Sequence, residues 1–180
     1  MWNDAWAART PIHNIQHKFA VHVRGPNHVV RNNIIDLDGL DLLPPFTVLA
    51  GYRRVNIAVD APPIHNHNYT YENNIVCSSS GAFFQIGGKV DKQTFKRVDN
   101  NVYYNRDGRH SFRQLTLDDW RGMGLDAHTQ LADPMFVDRK KHDYRLQPDS
   151  PARALGFQEI ETSEIGLKEG FPYEIGRTDP

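Results

Sequence analysis

One segment occurs three times in this chain, and nothing else constrains its fold as strongly. Asn27-His-Val-Val-Arg-Asn-Asn-Ile-Ile-Asp is the first copy and Asn68-Tyr-Thr-Tyr-Glu-Asn-Asn-Ile-Val-Cys the second. Gln93-Thr-Phe-Lys-Arg-Val-Asp-Asn-Asn-Val-Tyr-Tyr is the third, one residue longer before its Asn pair. Each copy has a short β-prone run, an Asn-Asn pair, and then β-branched or aromatic residues. The pairs fall at 32–33, 73–74 and 100–101, so successive pairs are 41 and 27 residues apart. Internal similarity at such periods is the mark of stacked repeats.

A short strand, a sharp corner and another short strand suit a coiled solenoid. Asn tolerates the left-handed backbone region that a corner needs. Its side-chain amide can also bond to the equivalent residue of the next coil, building a ladder through the stack. Ile-Ile, Ile-Val and Val-Tyr then start the next strand, with alternate side chains entering the core. Spacing 27 fits one coil with a modest loop. Spacing 41 fits one coil with a long excursion over about 39–63, or two coils of which one lacks the motif. Three unrelated hairpin turns are the alternative, since Asn is also common there. The fold expected from the repeats is an all-β coiled solenoid.

After Arg109 the pattern changes. Leu115-Thr-Leu-Asp-Asp-Trp-Arg-Gly-Met-Gly predicts a helix over about 116–123, capped by Thr116, with Asp118 and Asp119 in the first turn and Gly122 or Gly124 ending it. Trp120 is expected to pack that helix on the core. Ala132–Asp138 and Asp143–Pro148 read as short strands, and Ser150–Phe157 as a capping turn. Residues 1–10, with Trp2 and Trp6, are expected to form an N-terminal cap, 11–157 the coils, and 158–180 a polar tail carrying five glutamates.

In order, Asn73-Asn-Ile-Val, Asp99-Asn-Asn-Val-Tyr-Tyr, Trp120 and Gly124-Leu-Asp-Ala-His-Thr are followed by Asp133-Pro-Met-Phe-Val-Asp and Asp143-Tyr-Arg-Leu-Gln-Pro-Asp-Ser-Pro-Ala. Leu155-Gly-Phe and Ile165-Gly-Leu close the series. This string, over about Tyr69 to Leu167, resembles the C-terminal end of bacterial right-handed parallel β-helix proteins of the pectate-lyase-like type. That group includes glycoside hydrolases and polysaccharide lyases, and the resemblance implies an all-β, right-handed parallel β-helix of few coils with one short helix near its C-terminal end. The resemblance implies a longer parent chain, secreted or periplasmic, with a signal peptide and earlier coils; Met1–Arg9 has neither the basic nor the apolar region of such a signal. It implies a polysaccharide or oligosaccharide partner and a cleaving activity, glycoside hydrolase ahead of lyase. A non-catalytic carbohydrate-binding or structural solenoid, or a fragment lacking the active site, are the alternatives. The resemblance concerns fold and not reaction, so it assigns no catalytic residue.

The residues offer three candidate sites. Asp36 and Asp38 lie two apart, hence on one side of an extended strand, with Asp41 nearby; they could form an acid/base pair or bind Ca2+ through oxygen. A solvated acidic turn is the plainer reading. Arg53 or Arg54 could neutralise a uronate carboxylate or act as a base, although adjacent strand residues face opposite ways, so only one can serve. His65 and His67 share a face and, with Tyr52, could contact substrate. Two imidazoles there also have metal-binding spacing, but no third ligand can be named, so no metal site is assigned. Six of the nine histidines lie within the first 67 residues; the plainer reading of all of them is polar surface. Tyr69, Tyr71, Tyr103 and Tyr104 could stack on sugar rings, with about half of such tyrosines expected in the core. No cofactor is required by any of these readings.

Charge and hydropathy remove other classes. A formal net charge of -1 leaves no basic field for nucleic acid or an anionic membrane. The apolar runs, such as Ala82–Phe84 and Thr47–Ala50, are far too short to span a bilayer. Cys77, the single cysteine, cannot form an internal disulfide.

Overall fold

The Asn-Asn pairs sit at corners, and each Asn of a pair does a different job. In the computed structural model, which describes residues 21–23, 26–37, 46–48, 67–86, 90 and 93–161, Asn32, Asn73 and Asn100 all have positive φ, at 56°, 52° and 56°. These first members turn the chain. The second members, Asn33, Asn74 and Asn101, form the ladder. Asn33 Nδ2 donates to Asn74 Oδ1 at 3.0 Å, and Asn74 Nδ2 to Asn101 Oδ1 at 3.1 Å. The same oxygens accept the backbone amides of Asn33 and Asn74. A second row of turning residues, Asn27 and Asn68, has φ of 65° and 64° and is joined by a side-chain hydrogen bond from Asn68 to Asn27.

Strands flank these corners in register. β2 (Val29–Arg31), β5 (Tyr69–Glu72) and β8 (Phe95–Asp99) form one parallel sheet before the Asn pairs. β3 (Ile34–Leu37), β6 (Ile75–Ser78), β9 (Val102–Tyr104) and β11 (Gln130–Leu131) form a second after them. β1 (Val21–Val23), β4 (Phe46–Val48), β7 (Ala82–Ile86) and β10 (Ser111–Phe112) make a third, also parallel. β4 falls inside the span expected to be a loop.

Between the three sheets lies an aromatic core. Tyr69, Tyr71, Phe83, Phe84, Tyr103, Phe112 and Trp120 are all buried. Their rings pack at centroid separations such as 5.3 Å for Tyr71–Phe84 and 5.1 Å for Phe84–Trp120, largely edge-on or tilted. Trp120 comes from helix α1 (Leu117–Gly122), whose N-cap is Thr116 with the reciprocal Asp119 bonds of a capping box. So the helix, its cap and its buried tryptophan lie where the sequence puts them.

The sheet containing β6 is buried on both faces. Val76 and Tyr103 face the aromatic core, while Ile75, Cys77 and Val102 face a second cluster. That cluster is completed by Phe136, Leu146, Ala152 and Phe157. They come from an antiparallel pair, β12 (Phe136–Asp138) and β13 (Asp143–Leu146), and from helix α2 (Pro151–Ala154), capped by Ser150. The C-terminal part therefore covers a side of the β6 sheet. Residues 155–158 are pinned to the turning asparagines, with Asn73 Nδ2 donating to the Leu155 carbonyl at 2.8 Å and Asn32 exchanging two bonds with Gln158.

These observations correct the expectation of an all-β, right-handed parallel β-helix with one short helix. The described residues make several small sheets, three parallel and one antiparallel, with helical segments at 117–122, 139–141 and 151–154. The reason lies after residue 109. β10 and β11 are only two residues long. Positive φ at Arg113, Gln114, Asp126, Met135 and His142 repeatedly turns the chain. Pro134, Pro148 and Pro151 lack the amide a strand ladder needs. The N-terminal segment 1–10 and most of the tail lie outside the described residues.

A candidate polar face on the β2–β5–β8 sheet

The residue just before each Asn pair is charged: Arg31, Glu72 and Asp99. Parallel pairing places the three side by side, Arg31 opposite Glu72 and Glu72 opposite Asp99. Period-two alternation turns Tyr69 and Tyr71 inward, and a register shift in β8 turns both Phe95 and Val98 inward, so the charged residues face out. Glu72 is held between two guanidiniums, Arg97 Nε at 2.9 Å and Arg31 at 3.7 Å. Its side chain is only 12% exposed, whereas those of Arg31 and Arg97 are 63% and 55% exposed. The carboxylate is thus fixed and the cations reach into solvent.

Asp99 is fixed differently. It accepts the amides of Asn100 and His128, each at 2.9 Å, and its Oδ2 lies 2.8 Å from His128 Nδ1. Partial burial pushes its carboxyl up, but the His128 ring together with the His128 and Asn100 amides outweighs this and holds it below the usual carboxylate range. The His128 ring is 73% exposed. The outcome is a row of pre-positioned acceptors and donors on a rigid sheet.

Asp126 is driven the other way. It is fully buried and receives Asn101 Nδ2 at 2.9 Å, Trp120 Nε1 at 2.9 Å, Tyr103 Oη at 3.1 Å and the Thr129 hydroxyl. Burial raises its pKa against these four bonds. Sealed beneath Trp120, it ends the asparagine ladder and cannot meet a ligand.

Most candidates read from the sequence fall in stretches that are not described. Asp38, Tyr52, Arg53 and His65, with Asp41 and Arg54, lie outside the described residues. Asp36 is on β3, where Arg139 grips its carboxylate with two nitrogens, Nε at 2.8 Å, and Tyr144 Oη donates at 3.1 Å. Burial first, then the Asp36 charge, pushes the Tyr144 hydroxyl well up. This ion pair ties the C-terminal hairpin to the β6 sheet, and Arg139 also lies 5.7 Å from the Tyr104 ring centroid. His67 is half-buried, and its carbonyl accepts the Asn27 amide at 3.1 Å. Tyr69, Tyr71 and Tyr103 are core; Tyr104 is half-buried. Among the described residues no group of three or more His, Cys, Asp or Glu could hold a metal ion, and no helix is long and apolar enough to cross a membrane.

Comparison with known proteins adds one relative. The chain is 32% identical over 95 residues to the uncharacterized protein YwoF of Bacillus subtilis (strain 168). The match covers 49% of this chain and 20% of that protein, so the chain spans about a fifth of the length of the curated relative it matches. No family model and no solved structure matches significantly.

Proposed function

We propose that this chain is part of a carbohydrate-active protein and that the outward face of β2–β5–β8 holds a saccharide. The observation carrying this reading is the ordered row Arg31–Glu72–Asp99, flanked by Arg97 and His128. The half-sunken carboxylates accept hydroxyl protons; the exposed guanidiniums donate to hydroxyls or pair with a sugar carboxylate. Fixing these groups beforehand lowers the ordering cost of binding. The same reading takes the parent protein to be secreted or periplasmic.

Binding is favoured over cleavage on this face. Glycoside hydrolysis needs one carboxyl kept protonated beside an ionised one. Asp99 is held low and is an acceptor rather than the acid, and Glu72 is gripped by two guanidiniums. Cleavage, by hydrolysis ahead of elimination, is the second reading. One observation favours it: Glu72 and Asp99 are direct cross-strand neighbours, and strand spacing of about 4.8 Å is near the carboxyl separation of retaining glycosidases.

The test is affinity electrophoresis of the chain through gels containing neutral or acidic polysaccharides, with reducing-end release measured in parallel. Retardation by at least one polysaccharide is expected. Arg97→Ala, which removes a donor and loosens Glu72, should weaken it roughly tenfold. A chain that migrates freely through every gel, or an Arg97→Ala protein that binds as the wild type does, would refute the reading. Release of reducing ends that Glu72→Gln abolishes would move the assignment to cleavage.

A further inference from the structure

A row of amides runs along the corner beside the polar face. Asn32, Asn73 and Asn100 are its rungs, each with positive φ. Each directly follows one of the charged residues Arg31, Glu72 and Asp99, so the row borders the polar face along its length. In the β9–β11 register Gln130 lies opposite Val102, and two residues further back His128 falls beside Asn100.

Two rungs are occupied, both by main-chain amide groups. Asn32 Nδ2 donates to the Gln158 carbonyl at 2.9 Å, and the Gln158 N–H donates to Asn32 Oδ1 at 2.8 Å. Asn73 Nδ2 donates to the Leu155 carbonyl at 2.8 Å. The covering segment reaches no further along the row in extended form, because residues 151–154 are wound into helix α2. At the third rung the Asn100 side chain is half-buried and has no hydrogen-bond partner among the described residues; it is the Asn100 backbone N–H that meets Asp99. A positive φ is served by glycine as readily as by asparagine, so the turn makes no use of this amide.

We infer that Asn100 makes the polar face take 2-acetamido sugars, so that the saccharide bound here contains N-acetylhexosamine. The occupied rungs supply the chemistry. Gln158 offers Asn32 an amide N–H and an oxygen on adjacent carbons, the unit N–Cα–C–O. A 2-acetamido-2-deoxyhexose offers the same unit, its amide nitrogen on C2 and a hydroxyl oxygen on C3. Asn100 Oδ1 accepts the acetamido N–H, and Nδ2 donates to the oxygen on C3. A plain hexose has a hydroxyl at C2, which rotates and both donates and accepts, so water serves it equally well. The acetamido N–H is fixed in direction and only donates, so it gains more from an acceptor already held in place. Beside it the Asp99 carboxylate, fixed by the amides of Asn100 and His128 and by the His128 ring, accepts a neighbouring hydroxyl.

This rests on the saccharide reading above, and the test separates the two. Affinity electrophoresis compares fully N-acetylated hydroxyethyl chitin with hydroxyethyl cellulose, uncharged polymers of one backbone with acetamido or hydroxyl at C2. Wild-type affinity should be about fivefold higher for the chitin derivative, the worth of about one net hydrogen bond. Asn100→Gly keeps the positive φ and removes the amide, and it should be retarded equally by both polymers. Free triacetylchitotriose should displace the wild type from the chitin gel about fivefold more readily than cellotriose, a comparison that needs no variant. Equal wild-type affinity for the two polymers, a preference retained in Asn100→Gly, or equal displacement by the two trisaccharides overturns the inference alone. Retardation by other polysaccharides and by neither of these does the same. Free migration through every gel overturns the saccharide reading and this inference with it.

Discussion

Removing Asn101 should be among the most damaging single changes available in the described part of this chain. The side chain is fully buried and makes four bonds. Its Oδ1 accepts Asn74 N at 2.9 Å and Asn74 Nδ2 at 3.1 Å; its Nδ2 donates to the Tyr71 carbonyl at 3.1 Å and to Asp126 Oδ1 at 2.9 Å. In Asn101→Ala two backbone groups, Asn74 N–H and the Tyr71 carbonyl, lose these bonds away from water. Each such loss costs about 1–3 kcal/mol, and Asp126 gives up one of four donors as well. The sum is about 3–5 kcal/mol, in the tail of point-mutant effects. The comparator is Asn33→Ala at the other end of the described ladder, where the side chain is half-buried and water can replace it; about 1 kcal/mol is expected there. Urea unfolding followed by circular dichroism measures both, with the slope m checked for constancy. Asn101→Leu keeps the branched side-chain shape without its polar atoms and should recover little. A cost for Asn101→Ala within 1 kcal/mol of that for Asn33→Ala, or full recovery in Asn101→Leu, would refute the ladder as a source of stability.

Two further outcomes follow from local geometry. Gly81→Ala should destabilise by about 2–4 kcal/mol in the same assay, because φ is +72° and an added Cβ would lie 2.3 Å from the Arg109 carbonyl oxygen, which is main chain and cannot swing away. Asp99→Asn should flatten the acid side of the stability profile. The folded pKa of Asp99 is lowered, so its contribution is present above the unfolded value near 4 and is lost as pH falls through the folded one. The wild type should therefore lose more stability than the variant on acidification below about pH 4, and parallel curves would contradict the Asp99–His128 linkage.

Local chemistry is legible in the order of residues. Asn at 32, 73 and 100 marks left-handed corners, and Asn at 33, 74 and 101 marks the ladder, because one turn conformation and one amide recur at matched positions. The Thr116 cap and the Asp119 partner are legible for the same reason, being contacts within one helical turn. The charged position before each Asn pair is equally visible as Arg31, Glu72 and Asp99, yet closeness along the chain singles out Asp36 and Asp38 instead. Acids two residues apart attract notice in a linear sequence, whereas Arg31, Glu72 and Asp99 are neighbours only through the sheet.

What the amino-acid order determines by itself, then, is the set of corners, caps and inward-facing aromatics, each set by interactions spanning a few residues or by strand alternation. Tertiary structure decides the rest. Register across 41 and 27 intervening residues aligns Arg31 with Glu72 and Glu72 with Asp99. The antiparallel turn-back after Pro134 buries Cys77 and takes Asp36 for an ion pair 103 residues away. Such contacts follow from which apolar faces find each other, and the energy that chooses them is the burial of whole surfaces, which no short stretch of sequence carries.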